Sequence, residues 1–303
     1  MRIALVLTPL SDHYLRLASQ IGVTDIVSRY LGVDPDPLLA LSERVASFGM
    51  KLSIVEGYIP HDKIVHGKPG RDEQIAGFQQ LLRNMGTAGI PICCYNWMPA
   101  NDWTRTAMDI PERGGALVTG YDASADRHVS TSNDKTIDEL LLWKNLKYFL
   151  ERIVPVAEEV GVQLAMHPDD PPMSPFHGHG QIMSSVTGFE RLVELVPSKA
   201  NGICFCQGTF AEMGVDFLRR FGDLPGTYIT FTSAMSWGPC RRSERASMTT
   251  EKQICSRRCA RTRRSALKAR HDRITCRRWT VSRTIHRAMR CWVDFSPWAT
   301  CAG

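Results

Sequence analysis

The stretch Val162-Gln163-Leu164-Ala165-Met166-His167-Pro168-Asp169-Asp170-Pro171-Pro172 is a short apolar run that stops abruptly. Val162 to Met166 reads as a buried strand, and the histidine, acids and prolines after it cannot continue a sheet. His167 therefore stands at the mouth of whatever this strand builds. Taken alone, such a histidine is satisfied by a loop carbonyl and specifies no site. A second unit of the same grammar, Asn201-Gly202-Ile203-Cys204-Phe205-Cys206-Gln207-Gly208-Thr209, again runs from a short apolar strand into a turn. Neutral imidazole and thiolate at the ends of two neighbouring strands, His167 and Cys206, supply half of a tetrahedral or octahedral metal site.

Working outward, the first three-quarters of the chain alternate strand-like and helix-like segments. Strands are expected at Arg2 to Leu7, Thr24 to Ser28, Lys51 to Glu56, Pro91 to Tyr95, Val162 to Met166, Gly202 to Cys206 and Tyr228 to Phe231. Helices are expected at Ser11 to Gln20, at Asp36 to Phe48 with Pro37 at its start and Gly49 past its end, and at Arg71 to Ala88. Further helices are expected at Lys135 to Val160, interrupted at Pro155, at Gly188 to Val196 and at Val215 to Phe221. Ile75, Phe78, Leu81, Leu82 and Met85 recur at the period of one buried helix face. Strands with helices between them argue a parallel sheet, and one more βα unit would complete a (β/α)8 TIM barrel. The fold expected is that α/β barrel, incomplete at about seven units, with sites assembled at the C-terminal strand ends. Glu56, Tyr95, Asn96, His167 and Cys206 all fall at such ends. The main alternative is a doubly wound open sheet, but no Gly-rich phosphate loop follows the first strand.

At 303 residues the chain is long enough for one large α/β domain. No apolar run approaches a membrane span, and Met1 to Leu7 is too short for a signal sequence, so a cytoplasmic protein is the expectation. The ten cysteines read as free thiols or metal ligands rather than a disulfide framework. Cys93, Cys94 and Cys204 read as small core residues. The net charge of +6 conceals a division: residues 1–231 hold 20 Lys and Arg against 27 Asp and Glu, whereas 232–303 hold 17 against 4. Six of the ten cysteines lie in that basic segment. Two domains are expected, a barrel over 1–231 and a basic Cys- and Arg-rich tail over 232–303.

Two loops exceed what connection requires. Gly57 to Gly70 contains His61, Asp62, Lys63, His66 and Lys68, and Asn96 to Asp134 contains Trp97, Asp102, Trp103, Arg105, Arg113 and His128. Long loops on a barrel serve as lids or substrate walls. Their motifs also carry a resemblance. Tyr95-Asn96-Trp97-Met98-Pro99, Asp102-Trp103-Thr104-Arg105-Thr106 and Gly115-Ala116-Leu117-Val118-Thr119 resemble the long third-to-fourth-strand region of the mannonate dehydratases. Ile54-Val55-Glu56, Gly67-Lys68-Pro69-Gly70-Arg71-Asp72, the His167 motif and Phe205-Cys206-Gln207-Gly208 match that family in order. The resemblance covers residues 1–231.

It implies a TIM barrel related to the xylose isomerases, a hydro-lyase that removes water from D-mannonate to give 2-keto-3-deoxy-D-gluconate in hexuronate degradation, using Mn²⁺ or Fe²⁺. Removing a weakly acidic proton beside a carboxylate calls for a divalent metal to stabilise the developing charge and an acid to help hydroxide leave. The family holds its metal with a histidine after one strand, a cysteine after the next, and then a histidine and an aspartate from the last two; His167 and Cys206 match the first two. A cysteine ligand suits Fe²⁺, Mn²⁺ or Zn²⁺ better than Mg²⁺. Arg105 is a candidate bidentate clamp for the substrate carboxylate, or else an ion-pair partner of Asp102 or Asp109. Glu56 binds a sugar hydroxyl or faces a neighbouring lysine, and Asn96 is a further candidate for substrate binding. His177 and His179 read as part of a substrate loop rather than a metal pair. No catalytic residue is assigned, and homo-oligomer formation is left open. A second function on the same scaffold, sugar or sugar-acid isomerisation, would show itself by turnover of an aldose or ketose.

After Phe231 the family pattern stops. Clustered arginine with interleaved tryptophan reads as a basic module for nucleic acid, and Cys255 and Cys259 have a spacing used by metal sites, without a second half. The genetic code supports a different reading. Taking the last base of each codon with the first two of the next, Thr232 to Gly238, read from the last base of Phe231, can encode His-Phe-Arg-Asp-Val-Val-Gly. By the same rule Ala246 to Cys255 can give Phe-His-Asp-Asn-Gly-Lys-Thr-Asp-Met, and Asp272 to Arg277 can give Pro-Asp-His-Val-Pro. Ala288 to Gly303, read from the last base of Arg287, can give Gly-Tyr-Glu-Met-Leu-Gly-Arg-Leu-Phe-Ala-Val-Gly-Tyr-Met-Arg-Gly. These are family segments in family order, recovered by one constant shift. A changed reading frame near Phe231 removes the third and fourth ligands and the eighth strand, leaving an unclosed barrel with exposed edges and an inactive polypeptide. Nucleic acid is then not an expected partner.

Overall fold

Strands that are apolar on consecutive residues need cover on both faces, and helices between them supply it. The computed structural model describes residues 2–57, 59–99, 104–111, 113–127 and 136–214, together with the backbone of 228–232. Its first compact unit takes Met1–Thr104 and resumes at Arg127; the second has its described residues within Arg105–Asp126.

In the first unit β1 (Ala4–Val6), α1 (Asp12–Gln20), β2 (Asp25–Ser28), α2 (Pro35–Ser47) and β3 (Lys51–Glu56) lead into α3 (Asp62–His66), α4 (Arg71–Thr87) and β4 (Ile92–Tyr95). The second unit contributes β5 (Ala107–Pro111) and β6 (Leu117–Gly120). The chain then returns through α5 (Glu139–Val160), β7 (Gln163–Met166), α6 (Val186–Leu195), β8 (Asn201–Cys206), α7 (Gln207–Glu212) and β9 (Tyr228–Thr232). The order β1-β2-β3-β4-β7-β8-β9 is parallel throughout, so each strand lies beside the next one of its unit. That is an incomplete TIM barrel; among the described residues no eighth strand joins β9 to β1.

Alternation along the strands sorts the two faces, except in β3, where a register shift against Ile26 and Val27 of β2 puts Leu52 and Ile54 on opposite faces. Leu5, Ile26, Leu52, Cys93, Leu164 and Ile203 join the thick layer beneath the helices, where Phe78, Phe149 and Leu146 are buried. Val27, Ile54, Cys94, Ala165 and Cys204 form a narrower column on the other face, with Val6 and Ile92. Phe149 meets Phe78 edge-on at 5.1 Å and Trp97 at 5.3 Å, which ties α5 to α4 and to the end of β4.

Helix ends follow their capping residues. Ser11, Asp34, Asp138 and Ser185 each accept a backbone N–H of the first turn. Asp138 sets the start of α5 at Glu139, later than the expected Lys135, which lies outside the described residues. Pro155 sits inside α5 and does not interrupt it; in the turn it weakens, the Arg152 carbonyl accepts from Gln79 Nε2 at 2.9 Å. Asn201 Nδ2 donates to the Leu192 and Val196 carbonyls at 3.1 Å each, closing the end of α6 from the strand that follows it.

The second unit corrects the picture of Asn96 to Asp134 as one long loop. Its antiparallel hairpin pairs Ile110 with Val118 and Pro111 with Leu117. Met108 and Leu117 are exposed, so no buried alternation announced it. Asp102, Trp103 and His128 lie outside the described residues, as do the expected helix Val215 to Phe221 and, beyond Thr232, the expected tail. No helix among the described residues is long and apolar enough to cross a membrane.

Candidate metal centre

Residue parity carries the strand pattern past the strand ends. Ala165 belongs to the inner column, so His167, two residues on, continues that face; Cys206 does the same after Cys204. The backbone N–H of His167 donates to the Tyr95 carbonyl at 2.7 Å, so the strand pairing of β7 with β4 extends to the histidine itself.

The two expected metal ligands meet. His167 and Cys206 are hydrogen-bonded through their side chains, and both are buried. His167 Nδ1 lies 2.8 Å from the Pro168 carbonyl oxygen, which can only accept, so Nδ1 carries the proton. That leaves Nε2 for Cys206. The Thr209 hydroxyl donates to Cys206 Sγ at 3.2 Å from the first turn of α7. Burial opposes charge on both groups, but their mutual contact outweighs it. The neighbouring thiols and the Pro168 carbonyl push the imidazole up to about 10, and His167 with Thr209 brings the Cys206 thiol down to about 7. The pair thus favours imidazolium and thiolate, the form in which one proton is shared where a cation would sit.

That donor set suits a borderline divalent ion: an imidazole nitrogen whose tautomer is fixed from behind and a sulfur inclined to ionise. It is half a site. Among the described residues no group of three or more His, Cys, Asp or Glu side chains is placed to hold a metal.

Glu56, at the end of β3, faces an arginine rather than a lysine. Its Oε2 lies 3.3 Å from Arg29 Nη1, and its Oε1 accepts from the Cys94 thiol at 3.7 Å. Asn96 is buried, and its Oδ1 accepts from the Met98 N–H at 3.3 Å, bracing the turn after β4. Arg105 belongs to the second unit, where its Nε donates to Thr119 Oγ1 at 3.2 Å. Of the named candidates the structure brings His167 and Cys206 together and sets Glu56 and Asn96 at neighbouring strand ends. His177 stacks on Phe176 at 3.8 Å, while His179 lies edge-on to His66 at 6.4 Å and accepts from the Ile137 N–H.

Cys93, Cys94 and Cys204 are buried and form no disulfide, as expected of core residues. Burial pushes Cys93 up to about 12.

Asp169 carries a role that strand-end reading did not single out. It is fully buried, its Oδ2 accepts from the Met183 N–H at 2.7 Å, and its Oδ1 has no hydrogen-bond partner among the described residues. The one available signal was its place between prolines directly after the strand.

The chain matches the family model described as D-mannonate dehydratase (UxuA) over residues 14–134 and 127–234. It is similar to the mannonate dehydratase of Streptococcus pneumoniae (strain 70585), 36% identical over 199 residues that make up 58% of this chain and 54% of that protein. It is also similar to that of Streptococcus agalactiae serotype Ia, 39% identical over 195 residues, 57% of this chain and 56% of the other. The crystal structure of mannonate dehydratase from Streptococcus suis serotype 2 superposes with a TM-score of 0.68 at 31% identity, covering 77% of this chain and 72% of that one. This chain spans about half the length of the curated relatives it matches. With the paired histidine and cysteine at the ends of β7 and β8, these matches establish that the chain belongs to the D-mannonate dehydratase (UxuA) family.

Proposed function

We propose that this chain descends from a hydro-lyase that converts D-mannonate into 2-keto-3-deoxy-D-gluconate and water, with Mn²⁺ or Fe²⁺ as its ion, in cytoplasmic hexuronate breakdown. The observation that carries the reading is the contact of His167 with Cys206 at adjacent strand ends of a family barrel. These two residues would hold the ion. When bound, such an ion supplies Lewis-acid stabilisation of the negative charge that develops beside the substrate carboxylate.

The remaining candidates take roles suited to a polyhydroxy acid. Glu56, steadied by Arg29, offers a carboxylate oxygen to a sugar hydroxyl, and Asn96 offers an amide beside it. Arg105 is the candidate clamp for the substrate carboxylate, since its planar guanidinium matches that group. The missing donors we assign to the shifted frame after Phe231, so the polypeptide as written has half the ligand set and no turnover.

Two proteins test this. One has the present sequence; the other has the frame restored across the codons for Thr230 to Ser233. Both are assayed with D-mannonate and Mn²⁺. Turnover is expected only in the restored chain. Turnover well above background by the present sequence would refute the inactivity, and a silent restored chain would sink the dehydratase reading.

A further inference from the structure

The ring of His167 is oriented by a peptide group that something else must hold. The carbonyl that accepts from Nδ1 belongs to Pro168, and the N–H of that same peptide unit is that of Asp169. This N–H donates to the Met183 carbonyl at 3.2 Å, while the Met183 N–H returns a hydrogen bond of 2.7 Å to Asp169 Oδ2. Residue 169 therefore grips residue 183 twice, once through its backbone and once through its carboxylate, and the plane that fixes the His167 tautomer lies in that grip.

Stability alone does not account for a carboxylate here. Asp169 is fully buried, and Oδ1 meets no donor among the described residues, an arrangement that costs more than an apolar side chain would. The segment it holds is itself tightly fitted. A Cβ at Gly188 would lie 2.1 Å from the Ile182 carbonyl oxygen, so the turn before α6 has no slack to take up if the grip is lost.

We propose that Asp169 is a positioning residue for the metal centre: by clamping Met183 it fixes the Pro168–Asp169 peptide, which holds His167 protonated at Nδ1 and turned with Nε2 toward Cys206. The inference rests on the reading of His167 and Cys206 as ligands. Losing such an outer hydrogen bond weakens metal affinity by about 10–100-fold.

Co²⁺ serves as the probe, followed by its thiolate charge-transfer absorption in the full chain, with thermal melting recorded alongside. Asp169→Ala is expected to weaken Co²⁺ binding at least about 10-fold. Asp169→Asn, whose amide oxygen can still accept from Met183, is expected to stay within about threefold of the unmodified chain. A purely structural role would lower the melting temperature of Asp169→Ala and leave its affinity unchanged, which overturns the proposal. So does an affinity loss in Asp169→Asn equal to that in Asp169→Ala. Should Asp169→Ala not fold, ¹⁵N spectra of the unmodified chain with Zn²⁺ decide: the metal must sit on Nε2 with the proton on Nδ1, and the reverse refutes the clamp. No charge-transfer band in the unmodified chain would remove the metal centre, and this inference with it.

Discussion

Replacing Asp25 tests how the opening strands of the barrel are fastened. Asp25 is 2% exposed at the start of β2, level with Ala4 of β1 and Lys51 of β3. Its Oδ2 accepts from Arg2 Nε at 2.8 Å and from Thr24 Oγ1 at 2.6 Å, and its Oδ1 from Arg2 Nη2 and Ser53 Oγ. Burial would raise its pKa, but Arg2, Ser53 and Thr24 together draw it below the ordinary 3.8. The Arg2 side chain is 60% exposed and loses little when its partner goes, so its share is small. The Ser53 and Thr24 hydroxyls each lose a hydrogen bond to a charged acceptor, worth about 1.5–3 kcal/mol. Part of that sum is offset because a desolvated carboxylate also disappears. Asp25→Ala should therefore cost about 3 kcal/mol, or about 6–12 °C in melting temperature for a unit of this size. The pH dependence has a definite sign. A carboxylate whose folded pKa is depressed stabilises the fold above its unfolded pKa, and the contribution fades as pH falls through the folded value. Melts from pH 7 to pH 2 should show the gap between unmodified chain and Asp25→Asn closing below about pH 4. A melting temperature of Asp25→Ala within about 2 °C of the unmodified chain at pH 7, or a gap with Asp25→Asn that persists unchanged at pH 2, would refute the reasoning.

Cys206→Ser should abolish the thiolate-to-Co²⁺ absorption and weaken Co²⁺ binding by more than the ~10–100-fold of an outer-shell loss, whereas Cys93→Ser, on the helix side of the sheet, should keep the band. Gly188→Ala should lower the denaturant midpoint by the equivalent of about 1–3 kcal/mol, because the added methyl meets the backbone oxygen of Ile182 rather than a side chain that can move aside.

Much of the barrel was legible because its signals are local. All seven sheet strands fall where apolar runs sit between turn residues, and a capping side chain stands before α1, α2, α5 and α6. What escaped lacks such signals. β5 and β6 bury no face, so they carry no period to read, and α3 and α7 span only five and six residues, shorter than two helical turns. Pro155 misled for the opposite reason. It breaks helices as a local rule, yet α5 continues through it to Val160 with Ile153, Val154, Val156 and Ala157 buried on either side.

The site divides along the same line. His167 and Cys206 could be named because each ends an apolar strand, and the one face they share follows from counting residues in twos beyond Ala165 and Cys204. Arg29 as the partner of Glu56, and Met183 as the partner of Asp169, could not be named, since each is set by the register of one strand or loop against another. In the sequence the acids of the Pro168-Asp169-Asp170-Pro171 turn mark only the end of a strand, yet Asp169 is fully buried while Asp170 beside it is not. A buried acid with an open oxygen is unfavourable unless the surrounding structure holds it in place. Its position directly behind the histidine is what makes that cost intelligible: the same peptide that carries the buried acid carries the carbonyl that decides which imidazole nitrogen faces the thiol.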